Sequence, residues 1–558
     1  MDGLAKAISR QDVTTGSVGR WRDLRLLALL LLLALGVRGW LMVHTEVLAR
    51  DSIGFIRYAL EFETDNWQDV VSKNHQHPGY PLTILAVSVP VRAFMAAPDV
   101  DQMAFSAQLA SSLAALLLVI PMFYLGKLLF HRAAGFGAAA LFQCLPVCAH
   151  ILSDGLSESL FLLLACTALV FAVLAVGGRS PWWFGLCGVF SGLAYLTRPE
   201  GLLVVIATLA VLVGLQRSKG YCRSWRQVVV GGGVLTLTAL LVASPYVLVT
   251  HGLSNKPSTR QLFGGHLPEL NVPNPAGLQT QAGTGRPLVA STLAITLNPN
   301  DAWAKRVVKA LWGLGSELVK CFHYVAWLPA LVGMWWFRRR PWVVPGMWVL
   351  LTLCGLLALV LCRLAVGVGY MSDRHLMLLV VCGCYAAAAA AWELPARLQA
   401  WHKRQPWIDS ALRPVPHSRT TMALAALLLA AMVASSMPKT LDTLHVNRAG
   451  HHAAGLWLAR NANAADIIED EHCWSHYYAG HVFLEHQPII KPAGYHPVRF
   501  VVIGRRDRDL TLTWNRQPSV HEDNVVADGG HIVFHWPAHG SVAEAAVVVY
   551  AVRQPRRQ

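Results

Sequence analysis

Charged residues are scarce in this chain: Asp, Glu, Lys and Arg make up 14% of its 558 residues, where a soluble domain carries about 25%. With 54% hydrophobic residues, that shortfall excludes an ordinary soluble protein and points to a polytopic α-helical membrane protein. A polar CxxC pair is also missing. Most of the 11 Cys, including Cys144, Cys148, Cys166, Cys187, Cys354, Cys362, Cys382 and Cys384, lie inside apolar runs, which argues against a disulfide framework or a zinc site. No glycine-rich nucleotide loop is present, and no inverted repeat of the kind many transporters show. Basic residues precede the first apolar run, yet no small-residue cleavage pattern follows at Arg38-Gly39-Trp40, so that run reads as a retained anchor. The formal charge of +15 would suit nucleic acid, but the basic residues fall in short clusters between apolar runs, as cytoplasmic loops do, and nucleic-acid binding is not expected.

What is present is a series of apolar runs near the roughly 20 residues that a span needs. They cover 24–43, 104–126, 133–150, 159–177, 182–197, 199–215, 227–249, 318–337, 342–362, 375–393 and 421–437. A further run, 79–97, is short and contains Pro81, Pro90 and Arg92. Loop charge decides its status, because Lys and Arg in short loops mark the cytoplasmic side. Lys6, Arg10, Arg20, Arg22 and Arg25 place the N-terminus inside. Lys127 with Arg132, Arg179, the cluster Arg217 to Arg226, Arg338 to Arg340, and Arg397 to Arg419 then all fall inside only if 79–97 does not cross. The expectation is about eleven spans plus juxtamembrane or re-entrant helices, with the N-terminus in and the C-terminus out. The domains expected are a cytoplasmic segment 1–23, a membrane domain 24–437 with outer loops 44–103 and 251–317, and a soluble extracytoplasmic α/β domain 438–558. In the last of these, VRFVVIGRR and EAAVVVYAV read as strands and HHAAGLWLARNA as a helix.

On that topology the outer face gathers the unusual residues. Asp51 directly follows the first span and opens an amphipathic segment with Ile53, Ile56 and Leu60 on one side. Such a segment lies in the interface and holds its carboxylate at the lipid surface, where it could take a proton from an attacking hydroxyl. The acidic residues after it, Glu61, Glu63, Asp65 and Asp69, read as a solvated face. In KNHQHPGYP, His75 and His77 could ligate a metal but lack a third ligand at a recognisable spacing. A proline-fixed turn presenting Lys73 and His77 to a lipid phosphate is the competing reading, and a plain polar loop is a third. Asp154 and Glu158 are four apart in SDGLSES and share a helix face; carboxylates are also tolerated at a membrane end without any function. Arg198 and Glu200 share the turn TRPEG, and Arg374 lies in YMSDRH. Each arginine has two readings: a snorkelling or ion-paired residue, Arg198 with Glu200 or Asp154, or a holder of an anionic head group.

The order of these pieces resembles the GT-C class of integral membrane glycosyltransferases, in particular the family of bacterial aminoarabinose transferases, lipopolysaccharide-core galacturonosyl transferases and, more distantly, protein O-mannosyltransferases. The likeness runs over about residues 20–395: the acidic first loop at Asp51, then HPGYPL, YLGKLLFHRAAG, LSDGLSESLF, YLTRPEGLL and YMSDRHLML. It implies a polyprenyl-phosphate-linked sugar donor, a glycan, lipid or protein acceptor hydroxyl outside the cytoplasmic membrane, and inversion at the anomeric carbon. Asp51 matches the first-loop acid and would be the base, with Asp154 and Glu158 as further catalytic candidates. His77 stands where relatives place a Lys or His near the donor phosphate, and Lys73, His75, Arg198 and Arg374 complete the substrate-binding candidates. The sequence departs from the family in two places: Ser52 follows Asp51 where the loop often reads Asp-Glu, and Gly79 replaces the second proline of His-Pro-Pro. No cofactor is called for, and the acidic loops leave a divalent cation open without an evident ligand set. Two other functions compete. A transporter or flippase for a lipid-linked sugar would need ionisable residues in mid-span, where this chain has almost none. A scaffold protein would work through the C-terminal domain alone.

Overall fold

The computed structural model describes residues 17–178, 180–216, 224–256, 259, 302–368, 371–403, 416–470, 472–483, 495, 497–505 and 521–553. Most of the expected outer loop 251–317, Arg179, and much of the basic clusters around 217–226 and 397–419 lie outside the described residues.

The helices run between two ends that differ in charge. At one end Lys127 and Arg132 both hold Asp23, Lys127 at 2.6 Å. Arg340 donates there to the Leu129 and Phe130 carbonyls at 2.6 and 2.7 Å, and Trp392 faces His131 and His417. At the other end Thr45 bridges to Leu444, and Tyr195 donates to the Leu253 carbonyl.

Eight helices among the described residues are long and apolar enough to cross a membrane: Gly19–Val43, Asp99–Leu129, Glu158–Val176, Pro199–Gln216, Trp225–Thr250, Gly346–Gly367, Asp373–His402 and Arg419–Thr440. A ninth passage is made by Arg132–Cys144 and Pro146–Ser153, bent by 69°. Pro146 causes the break: it lacks an N–H and forces Leu145 into an extended conformation. Buried Arg38 straddles the bend, donating to the Gln143 and Ala149 carbonyls at 3.0 and 2.6 Å. The 16-residue helix Trp182–Thr197 packs between Glu158–Val176 and Trp225–Thr250 and supplies another passage.

The run 318–337, expected as one span, is broken. Trp303–Cys321 and Trp327–Trp336 are separate helices because His323 and Tyr324 take left-handed φ values of 49° and 57°. The pair still leads from Arg306, beside the Val366 carbonyl, to Arg340 at the basic end, beyond the eight helices, or nine with the bent pair, that are long and apolar enough to be spans among the described residues. Gly79–Phe94 is not one of them. Its first residue abuts Leu196 and Thr197, and Arg92 near its last turn pairs with Glu63 and Asp99, so both ends lie at the end of the bundle away from Asp23.

The C-terminal part is a small α/β unit on that same end. Strands β1 (Ile467–Asp470), β2 (Val498–Gly504), β3 (His531–Trp536) and β4 (Val547–Arg553) form a sheet in the order β1-β2-β4-β3. The β1–β2 pair is parallel and the others antiparallel. Alternation fills both faces: Phe500, Val502, Val547 and Val549 pack with Ala454 and Leu458 of helix Ala449–Asn461, while Val501, Ile503, Val548 and Tyr550 pack with Val525. The unit is tied to the bundle by Trp474 Nε1 donating to the Leu48 carbonyl at 2.7 Å and Tyr477 to the Val100 carbonyl at 2.6 Å.

Candidate active site

Several backbone features deliver charged side chains to one ion-paired cluster. Asp51 sits in the first turn of helix Arg50–Thr64. Gly155, at φ 67°, turns the chain from Pro146–Ser153 into Glu158–Val176 and puts Glu158 in that helix's first turn, where the dipole favours an acid. Arg198 is extended (φ −153°, ψ 141°), as a residue before proline prefers, and so projects between two helices. Arg374 belongs to a short 3-10 turn whose start is capped by Ser372 Oγ at 3.3 Å and Asp373 Oδ1 at 2.8 Å.

The centre of the arrangement is Glu158, only 1% exposed. Its Oε1 accepts from Arg198 Nη1 and Arg374 Nε, both at 2.7 Å. Arg374 Nη1 reaches on to Asp51 Oδ2 at 2.5 Å, and the Asp51 side chain remains 47% exposed. Arg198 Nη2 also donates to Glu200 Oε1 at 3.2 Å, which is the Arg198–Glu200 pair open from the sequence. The pocket around these groups is lined by Glu158, Arg198, Glu200, Arg374 and His375 over an apolar floor. Lys256 comes within electrostatic reach of Glu200.

The other candidates lie elsewhere. Asp154 is spent on architecture: Oδ1 accepts from the Ala49 N–H at 2.9 Å, Oδ2 faces His445 Nε2 at 2.8 Å, and its carbonyl accepts from Ser52 Oγ at 2.6 Å. It therefore fixes the start of the helix that carries Asp51. Burial alone would lower the His445 pKa, but the Asp154 carboxylate outweighs it and raises the ring above the ordinary imidazole value.

His77 is 2% exposed, stacked on Tyr246 at 4.6 Å and edge-on to Tyr195 at 5.1 Å. Its Nε2 meets Ser254 Oγ at 3.0 Å. Burial, reinforced by the Lys256 charge, pushes its pKa down to about 3, so at neutral pH it is an uncharged ring and not a cation for a phosphate. Lys73 and His75 are not brought to the pocket: Lys73 is 66% exposed and faces Asp65 at 3.8 Å, and His75 is exposed. Among the described residues no group of three His, Cys, Asp or Glu side chains is placed to hold a metal ion.

Sequence reasoning missed His445, Lys256 and His375. His375 adjoins Arg374 in the YMSDRHLML motif and could have been read with it. Lys256 was hidden inside a long loop taken as a whole. Nothing local marks His445, whose partner is 291 residues away.

A family model described as dolichyl-phosphate-mannose-protein mannosyltransferase matches residues 97–248, less than half of the chain, including Asp154, Glu158, Arg198 and Glu200. No curated protein matches the chain in sequence. Among solved structures, ArnT from Cupriavidus metallidurans in the apo state superposes with a TM-score of 0.55 at 13% identity, covering 96% of this chain and 98% of that one. The same protein bound to undecaprenyl phosphate gives 0.55 at 12% identity, with the same coverage. The apo oligosaccharyltransferase of Archaeoglobus fulgidus gives 0.52 at 12% identity over 85% of this chain, which spans 65% of that protein's length. The chain is a multi-pass membrane protein that shares the fold of these ArnT and oligosaccharyltransferase structures.

Proposed function

We propose that this chain is a membrane glycosyltransferase that moves a sugar from a polyprenyl-phosphate donor to a hydroxyl of a glycan, lipid or protein acceptor. The reaction takes place at the extracytoplasmic face of the cytoplasmic membrane and inverts the anomeric carbon. The observation that carries this reading is the convergence of two guanidinium groups on one buried carboxylate, with the second of them also holding the half-exposed Asp51. A half-exposed carboxylate is thus tied through Arg374 to a pocket that two fixed cations line. The likeness to an ArnT structure that holds undecaprenyl phosphate supports the same class of donor here.

The chemistry asks for that arrangement. The acceptor oxygen attacks the anomeric carbon, the bond from that carbon to the phosphate oxygen breaks, and its electron pair stays on the phosphate. Asp51 takes the acceptor proton. Arg198, Arg374 and Lys256 stabilise the charge that grows on the leaving phosphate, while Glu158 fixes both guanidinium groups so that no reorganisation is needed as the charge develops. Asp154 acts through the backbone of the Asp51 helix and does not touch substrate. In this reading Lys73 and His75 touch no reacting group, and His77 locks a turn. The catalytic unit is the membrane domain 24–437, with residues 438–558 as a separate unit on its active end.

Asp51→Asn keeps the side-chain volume and removes the base. Transfer from the lipid-linked donor in proteoliposomes should fall about 10²–10⁴-fold, while undecaprenyl phosphate still protects the variant against thermal unfolding. Wild-type transfer rates in that variant would overturn the assignment.

A further inference from the structure

We infer that the donor's sugar presents hydrogen-bond donors, as hydroxyl or ammonium groups, to Glu158 and Glu200 and carries no carboxylate of its own. The inference rests on the reading above, that the pocket takes a lipid-phosphate-linked sugar, and names the class of sugar it selects.

The starting point is an unmet hydrogen-bonding capacity. Glu158 spends Oε1 on both guanidinium groups, and Glu200 spends Oε1 on Arg198. The second oxygen of each, Oε2, is buried and has no hydrogen-bond partner among the described residues. Both residues line the same pocket and both hold Arg198. Carboxylate oxygens withdrawn from water without a donor are costly, and two of them on one pocket amount to a pair of acceptor sites waiting for a ligand. Sugar hydroxyls and sugar ammonium groups are donors of the right kind. A site built to hydrogen-bond such groups rejects analogues that cannot donate far more strongly than an apolar pocket rejects a change of size.

Charge sharpens the selection. Among the described residues around the pocket, the carboxylates of Asp51, Glu158 and Glu200 are matched by Arg198, Arg374 and Lys256. A donor phosphodiester adds one negative charge and a neutral sugar adds none, whereas an amino sugar offsets the phosphate. A uronic acid would bring a second anion against the unpartnered Glu158 and Glu200 oxygens, where low polarity makes like charges repel strongly.

The test uses the wild-type protein in membrane vesicles, with undecaprenyl phosphate carrying matched sugars in the gluco, galacto and manno configurations. Each configuration is supplied as the neutral hexose, the hexosamine and the uronic acid. Release of undecaprenyl phosphate is measured against Asp51→Asn vesicles, and donor binding by protection against thermal unfolding. The expected result is that kcat/KM and protection for a uronic-acid donor fall at least about tenfold below its neutral or amino counterpart. Glu200→Gln should narrow that gap through KM. A uronic-acid donor used as well as its counterparts overturns the inference and leaves the glycosyltransferase reading standing. If no donor binds or is consumed, the reading of the pocket itself is overturned, and the inference with it.

Discussion

Position 79 shows how much one side-chain atom decides. Gly79 opens the helix Gly79–Phe94, a position where proline ordinarily fits well and where the resembled family carries proline. Here a Cβ would sit 2.7 Å from the Leu196 carbonyl oxygen and 2.9 Å from Thr197 Oγ1, so the close approach of the HPGYP turn to the Trp182–Thr197 helix requires glycine. That approach brings His77 between Tyr195 and Tyr246, with Tyr195 three residues before Arg198. Gly79→Ala should destabilise the detergent-solubilised protein by about 1–3 kcal/mol and lower transfer by displacing the Arg198 turn. Gly79→Pro, which restores the family's dipeptide, should do no better, because proline also carries a Cβ. An unchanged unfolding temperature in Gly79→Ala would show that the turn gives way freely.

Between elements, the join of the last membrane helix to the C-terminal unit acts on the helix Arg50–Thr64. Arg419–Thr440 ends beside Asp442, Leu444 pairs with Thr45, and His445 meets Asp154, which in turn holds the Ala49 N–H ahead of Asp51. His445→Gln should cost about 1–3 kcal/mol by weakening a hydrogen bond to a buried carboxylate, and should lower kcat more than it raises KM by loosening Asp51. The folded pKa of His445 is raised, so its contribution is complete below the unfolded value of about 6.5 and is lost as pH rises through the folded one. The stability gap between wild type and His445→Gln should therefore be wider at acidic pH than at alkaline pH, as read from unfolding temperatures across the range. Equal gaps at both ends would remove the charged pair from the account.

This join also marks where the sequence stops being legible. The apolar helices, the shorter 79–97 run and the charged residues at the helix ends all show in hydropathy and charge, because the membrane imposes those patterns residue by residue. The Asp154–His445 contact, the neutral state of His77 and the break at His323 and Tyr324 depend on partners far along the chain. In the sequence Asp154 looks like Glu158: both are carboxylates at a helix end on one face. Packing alone separates the one that holds a backbone N–H from the one that lines the pocket.

At the scale of the whole molecule, the proposed reaction depends on which side of the membrane each end of the bundle faces. Lys127, Arg132 and Arg340 gather at one end and Asp51, Glu158 and Arg374 at the other; the orientation proposed above, with the first end in the cytoplasm, is the one that the positive-inside bias favours. Gly79–Phe94 is the pivot, since a crossing there would invert every later segment relative to Asp51. Single cysteines at exposed positions test the arrangement: His75→Cys before that helix, Ala96→Cys after it, and Lys403→Cys at the basic end. The described native cysteines are buried or half-buried, and Cys222, which lies outside the described residues, is first replaced by Ser. In right-side-out vesicles a membrane-impermeant maleimide should label the first two and spare the third until detergent is added. Labelling of His75→Cys together with Lys403→Cys, with Ala96→Cys protected until detergent is added, would mean that the helix crosses. Arg374 and Asp51 would then face opposite sides, and the salt bridge between them could not form.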